Sequence, residues 1–147
     1  MSFEQLAQRI RSNADREVGT GATEEDIAAA EQALGIPLRG GYRDFLRSFG
    51  WGGVSHFELY GLGADVPQYL HLVSITQSER RTMTPRLPPH LIPIMNDGGG
   101  NLFCLNTTIN EPTIVLWDHE HGEDQQPEWE ASTFVEWLDR LLDAVRP

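Results

Sequence analysis

Between residues 91 and 105 two short apolar runs, Leu91–Met95 and Leu102–Leu105, flank the six-residue stretch Asn96-Asp97-Gly98-Gly99-Gly100-Asn101. A link that short cannot carry the chain back to start a parallel neighbour, which needs a crossover of roughly a dozen residues or more. The two runs therefore read as an antiparallel hairpin, with glycines supplying the positive φ angles of its turn. A third run, Thr113–Trp117, follows the polar, turn-like Asn106–Pro112, and the same length argument makes it antiparallel too.

The segments on either side are helical. Ser2 with Gln5 forms a capping-box pattern, and Phe3, Leu6 and Ile10 share a face, which predicts a helix over 3–16. Thr23 is the next N-cap. Glu24, Glu25 and Asp26 fill a first turn where carboxylates meet the positive end of the helix dipole; Ile27, Ala30 and Leu34 face inward, and Gly35 with Pro37 ends the helix. Tyr42, Phe45, Leu46 and Phe49 mark a third helix, weakened at its start by Gly40-Gly41 and stopped by Gly50. Ser55–Tyr60 alternates as a strand does, Leu70–Ile75 fits helix or strand, and Thr76 with Glu79 predicts a short helix over 76–83. Pro88-Pro89 marks a loop, the stretch from Asp118 to Glu130 reads as a polar, acidic connection, and Ser132 is the expected cap of a last helix carrying Phe134, Leu138, Leu141, Leu142 and Val145. Helices first, short strands next and one helix last predict an α+β fold. Its mostly antiparallel central sheet would bury one face under the N-terminal helices and the C-terminal helix.

At 147 residues the chain has the size of one domain, expected to span 1–147. No apolar run approaches the roughly 20 residues that cross a bilayer, and MSFEQLAQRI lacks the charged and apolar regions of a secretory signal. The one cysteine, Cys104, has no internal partner, which suits a reducing cytoplasm and excludes a cysteine-rich zinc site. The net charge is −11 and every positive side chain is arginine, since the chain has no lysine. Such a surface repels nucleic-acid phosphates and anionic membranes, and favours a basic protein partner. Acidity also keeps a protein soluble, so the bulk number alone does not decide between these roles.

Candidate chemistry is sparse. Asp118, His119, Glu120 and His121 are metal-ligand types, but no further ligand stands at helical spacing, so they read as solvated loop residues. The three glycines at 98–100 lack the lysine and following helix of a phosphate-binding loop; Asn96 and Asp97 are expected to bond the turn backbone. Cys104, between Phe103 and Leu105, reads as a core residue, and Glu58 as a solvent-face strand residue. Trp51 and Trp117 read as core. Nothing resembles a Ser-His-Asp triad or a carboxylate pair, so neither catalytic residues, nor a resident metal, nor a cofactor is expected. What remains is one acidic segment. Asp118, Glu120, Glu123, Asp124, Glu128 and Glu130 surround Trp129, which suits an interface anchor or, equally, a staple folded back onto the core. These seven residues are the candidate partner-binding set. Glu24-Glu25-Asp26 is a second acidic patch, already explained by its first-turn position.

Three stretches in order, LGIPLRGGYRDFLRSFGWGG at 34–53, LIPIMNDGGGNLFCL at 91–105 and VLWDHEHG at 115–122, resemble the SUKH superfamily, and the likeness runs from about Ile27 to Leu142. Arg39-Gly40 departs from the family pattern, which usually has a proline opening the third helix. The resemblance implies a SUKH-like fold without a catalytic site. It further implies an immunity protein of a polymorphic or contact-dependent toxin system, whose partner would be a cognate toxin such as a basic nuclease or other nucleic-acid-modifying effector. The superfamily also has eukaryotic members tied to cell-wall synthesis and signalling, so a regulatory protein-binding module is the rival expectation.

Overall fold

The computed structural model describes residues 1–145, so the last two positions of the expected 1–147 span lie outside the described residues. Helix α1 (Phe3–Arg11) opens on the expected box: Ser2 Oγ accepts the Gln5 amide at 3.2 Å while the Gln5 side chain accepts the Ser2 amide at 2.9 Å. It ends well before residue 16. Asn13 turns its side-chain oxygen onto the Asp15 amide at 2.9 Å, offering the backbone an alternative to helix. The released residues become strand β1 (Arg16–Val18). Helix α2 (Glu24–Leu34) has the Thr23 cap, a reciprocal bond to Asp26, and Gly35 at φ 77° as its left-handed terminator. Helix α3 (Gly40–Ser48) begins at the two glycines without a side-chain cap. Tertiary packing overrides their poor propensity: a Cβ on Gly41 would lie 2.9 Å from Val135 Cγ2, so only glycine lets this end of α3 reach the C-terminal helix α5 (Phe134–Ala144).

The strand expected over 55–60 lies earlier, as β2 (Gly52–Val54), paired antiparallel with β1. Ser55, at φ 59°, starts a reversal that returns Leu59 to Gly52, with N–H···O bonds of 3.1 and 2.9 Å in both directions. The alternation of residues 55–60 comes from this folded-back loop. A 3-10 turn (Gln68–Leu70) then leads into α4 (Leu72–Arg81), which absorbs both the ambiguous stretch and the short helix expected at 76. His71 is the cap. Thr76 sits fully buried inside the helix, its hydroxyl donating to the Leu72 carbonyl at 2.7 Å.

Strands β3 (Leu91–Asn96), β4 (Leu102–Asn106), β5 (Thr113–Trp117) and β6 (Glu128–Ala131) form an antiparallel sheet in that order. The chain is thus α+β with an antiparallel main sheet, as read from the sequence. β6 is an addition: the end of the acidic stretch is an edge strand, and its charged residues, which read as loop, are the kind that protect an edge. Thr133, not Ser132, caps α5, because its Oγ1 reaches the Glu136 amide at 3.1 Å. The sheet is more covered than expected. Phe103 meets Trp137 of α5 with ring centroids 5.3 Å apart, while Cys104, on the other face, is fully buried near Glu79 of α4. Leu91–Met95 is accordingly buried throughout. Trp117, Tyr42, Phe45 and Phe134 are the largest fully buried side chains.

Candidate functional site

The acidic segment joins β5 to β6 as an internally bonded loop. Gln125 pegs it: its Nε2 donates to the carbonyls of Asp118 (2.8 Å) and Gly122 (3.1 Å), and its Oε1 accepts the Asp118 amide at 3.0 Å. Asp118 Oδ1 takes the Glu120 amide at 2.8 Å in a local turn. The loop is docked sideways onto the glycine-rich turn of the β3–β4 hairpin, where Asn101 Oδ1 accepts the His119 amide at 3.1 Å and lies 2.6 Å from His119 Nδ1. A Cβ on Gly100 would stand 3.1 Å from the His119 ring, a tight contact, and the φ of 105° there favours glycine. Within the turn, Asn96 Oδ1 accepts the amides of Gly98 and Gly100, and Asp97 Oδ1 those of Gly99 and Asn101. The two side chains serve the turn backbone, as expected.

Gln125→Ala should remove about 1–2 kcal/mol, since three bonds are lost and part-buried backbone groups are left to water. Urea denaturation and hydrogen exchange at the Asp118 amide measure it. Protection unchanged there would mean that other contacts hold the loop.

The candidate residues all project from this loop and the strand beyond it. Glu120, Glu123, Asp124 and Glu128 are exposed, while Asp118 and Glu130 are part-buried. Trp129 is 59 % exposed on the edge strand, opposite Val115, so it does not fold back as a core staple. Four carboxylates elsewhere among the described residues meet arginine: Arg9 pairs with Asp139 and Asp143, Arg43 with Glu24 and Glu31, and Arg47 with Glu24. Among the described residues no carboxylate of 118–130 makes a salt bridge to arginine; only His121 approaches Asp118 (3.7 Å) and His119 approaches Glu120 (3.9 Å). Arg140 comes near but donates to the Glu130 backbone carbonyl at 2.8 Å. Burial and the neighbouring Glu128 charge hold the Glu130 carboxyl above the usual range, and Arg140 offsets this in part.

The histidines do not converge. His119 turns to Asn101 and His121 to Asp118, and among the described residues no group of three or more His, Cys, Asp or Glu stands together as a metal site. Cys104 is sealed in the core, where burial pushes its thiol well above the ordinary value and away from the nucleophilic thiolate.

Sequence reasoning missed a second feature. Beside β2 lie two adjoining cavities, of about 320 and 250 Å³, that share His56, Glu58 and Tyr69. Tyr69, 62 % exposed, donates its phenol to Glu58 Oε2, and this bond pushes the Tyr69 hydroxyl above its ordinary pKa. Glu58 is therefore a half-buried wall of a cavity and does not sit on a strand. Only the Ser55 reversal brings it there, and nothing in the sequence marks that turn.

No helix among the described residues is long and apolar enough to cross a membrane. The family model described as SUKH_5, SMI1-KNR4 cell-wall, matches residues 2–143. The SPbeta prophage-derived uncharacterized protein YokK of Bacillus subtilis (strain 168) is 26 % identical, over 97 % of this chain and 88 % of its own. A crystal structure of a protein from Pseudomonas syringae pv. tomato superposes with a TM-score of 0.69 over 96 % of both chains at 18 % identity, a likeness of fold. With nearly its whole length matched and the α+β architecture in place, the chain belongs to the SUKH superfamily, in its SMI1-KNR4 branch.

Proposed function

We propose that the protein is an immunity protein that binds and occludes a basic protein toxin through the segment 118–130. The observation that carries this reading is the density of unpaired charge: six carboxylates lie between residues 118 and 130, four of them exposed, and among the described residues none makes a salt bridge to arginine. Unneutralised charge on a pegged loop is a standing negative potential. It speeds encounter with a positively charged cleft and competes for the positions that substrate phosphates would take. Trp129, exposed among these charges, is the anchor of the contact. The function is binding, not catalysis, and it places the protein with its toxin in the cytoplasm. The rival reading, a regulatory protein-binding module, is favoured by the cell-wall description of the matching family model.

Coexpression with the product of a neighbouring toxin gene tests the proposal: cells should be rescued, and the complex should weaken as salt rises. The double variant Glu123→Gln/Asp124→Asn should slow association by about tenfold at low salt while leaving dissociation nearly unchanged. Stopped-flow mixing reads both rates. Unchanged association removes the loop from the interface, and a salt-insensitive complex favours the regulatory module.

A further inference from the structure

The trough beside β2 has the chemistry of a cation receptor, and it flanks the same glycine turn as the acidic loop. Its first part is walled by Glu17 of β1 and Ser55, and its second reaches Asn96 and Gly98 of the turn. The far end of that turn, Asn101, holds His119 of the acidic loop. A partner lying across the turn would therefore meet both features.

The walls select the ligand. Glu17 and Glu58 make the trough negative, and among the described residues neither forms a salt bridge with arginine, so an anion is repelled and a cation attracted. Tyr69 adds an exposed aromatic ring, held against Glu58 by its own phenol. A ring beside a fixed carboxylate suits a planar guanidinium, which stacks on the one and forks its N–H groups onto the other. A lysine ammonium, compact and strongly hydrated, gains less from the ring. The volumes, about 320 and 250 Å³, sit at or below the lower end of small-molecule sites and suit one inserted side chain. We propose that this trough receives an arginine side chain of the partner protein, stacked on Tyr69 and paired with Glu58. The proposal rests on the reading of a basic partner and names a second point of contact for it.

The full-length protein is titrated with hexa-arginine and hexa-lysine peptides near physiological salt, following amide shifts by NMR and affinity by fluorescence anisotropy. Hexa-arginine should bind about fivefold more tightly than hexa-lysine and shift the amides of His56, Glu58 and Tyr69. Tyr69→Leu, at a largely exposed position, should erase that preference; Glu58→Gln should weaken hexa-arginine by about fivefold, and Glu123→Gln/Asp124→Asn should weaken both peptides alike. If Tyr69→Leu and Glu58→Gln leave hexa-arginine binding within about twofold while the loop variant weakens it, the trough is overturned and the acidic-loop reading stands. Should neither peptide bind the native protein, both readings fall together.

Discussion

Replacing Phe134 with alanine is expected to remove about 3–5 kcal/mol of folding stability, out of the 5–15 kcal/mol that a protein of this size typically has. Phe134 opens α5 and is 1 % exposed. Its ring meets Tyr42 edge-on at 5.5 Å, Phe45 at 5.8 Å and Trp137 at 5.9 Å, so it joins α3 to α5 at the place where Gly41 lets the helices approach. Truncation loses the transfer free energy of a large ring. It also leaves a void among rigid aromatic neighbours that cannot collapse into it, which is why the upper part of the range is expected. Urea denaturation followed by circular dichroism should show a lower midpoint with an unchanged slope. Trp129→Ala is the control, because a tryptophan 59 % exposed on an edge strand should change stability by no more than about 0.5 kcal/mol. A loss below about 1 kcal/mol at Phe134 would mean that this cluster does not tie the helices together.

How much of this was legible depended on the range of the interactions involved. The capping boxes at Ser2 and Thr23 and the Gly35 terminator are local devices, and all three stand where the spacing put them. The hairpin around the glycine turn was equally readable, because link length and turn chemistry decide it without reference to the rest of the chain. The last cap was misread as Ser132, although Thr133 stands three positions before Glu136 in the capping-box spacing, which Ser132 with Val135 lacks. What else failed depended on distant partners. β1 and β2 are three-residue strands that exist only because they pair with each other, and no periodicity emerges over so short a window. The shape of the acidic loop rests on Gln125 and on Asn101 from another turn. Its charge was visible in the sequence, whereas the lack of arginine partners was not, since pairs such as Arg9 with Asp139 join opposite ends of the chain. The trough was hidden for the same reason, with Glu17, Glu58 and Tyr69 arriving from three separate segments.

The second large effect concerns the residue that holds those segments in place. Gly52→Ala is expected to remove about 3 kcal/mol or more, because two independent penalties coincide. The backbone there has φ 107°, a region that residues with a side chain rarely enter. An added Cβ would also lie 2.1 Å from the Glu17 carbonyl oxygen and 2.8 Å from Val18 Cα, and backbone atoms cannot rotate away as a side chain can. Gly35→Ala separates the two terms. That position has φ 77° but nothing within 4 Å of its Cβ, so it should show the backbone penalty alone, about 1 kcal/mol. Gly52 is held between β1 on one side, through its pairing with Val18, and Leu59 on the other, through two N–H···O bonds. Pushing β1 away therefore moves Glu17 relative to Glu58. Hydrogen exchange at the Leu59 amide should speed up in Gly52→Ala, and hexa-arginine should lose its advantage over hexa-lysine even where the variant is still folded. The acidic loop, anchored to a different turn, should keep its native exchange protection at Asp118. If that protection is lost to the same extent, β2 and the β5–β6 loop unfold as one cooperative unit, and the trough cannot be altered separately from the loop.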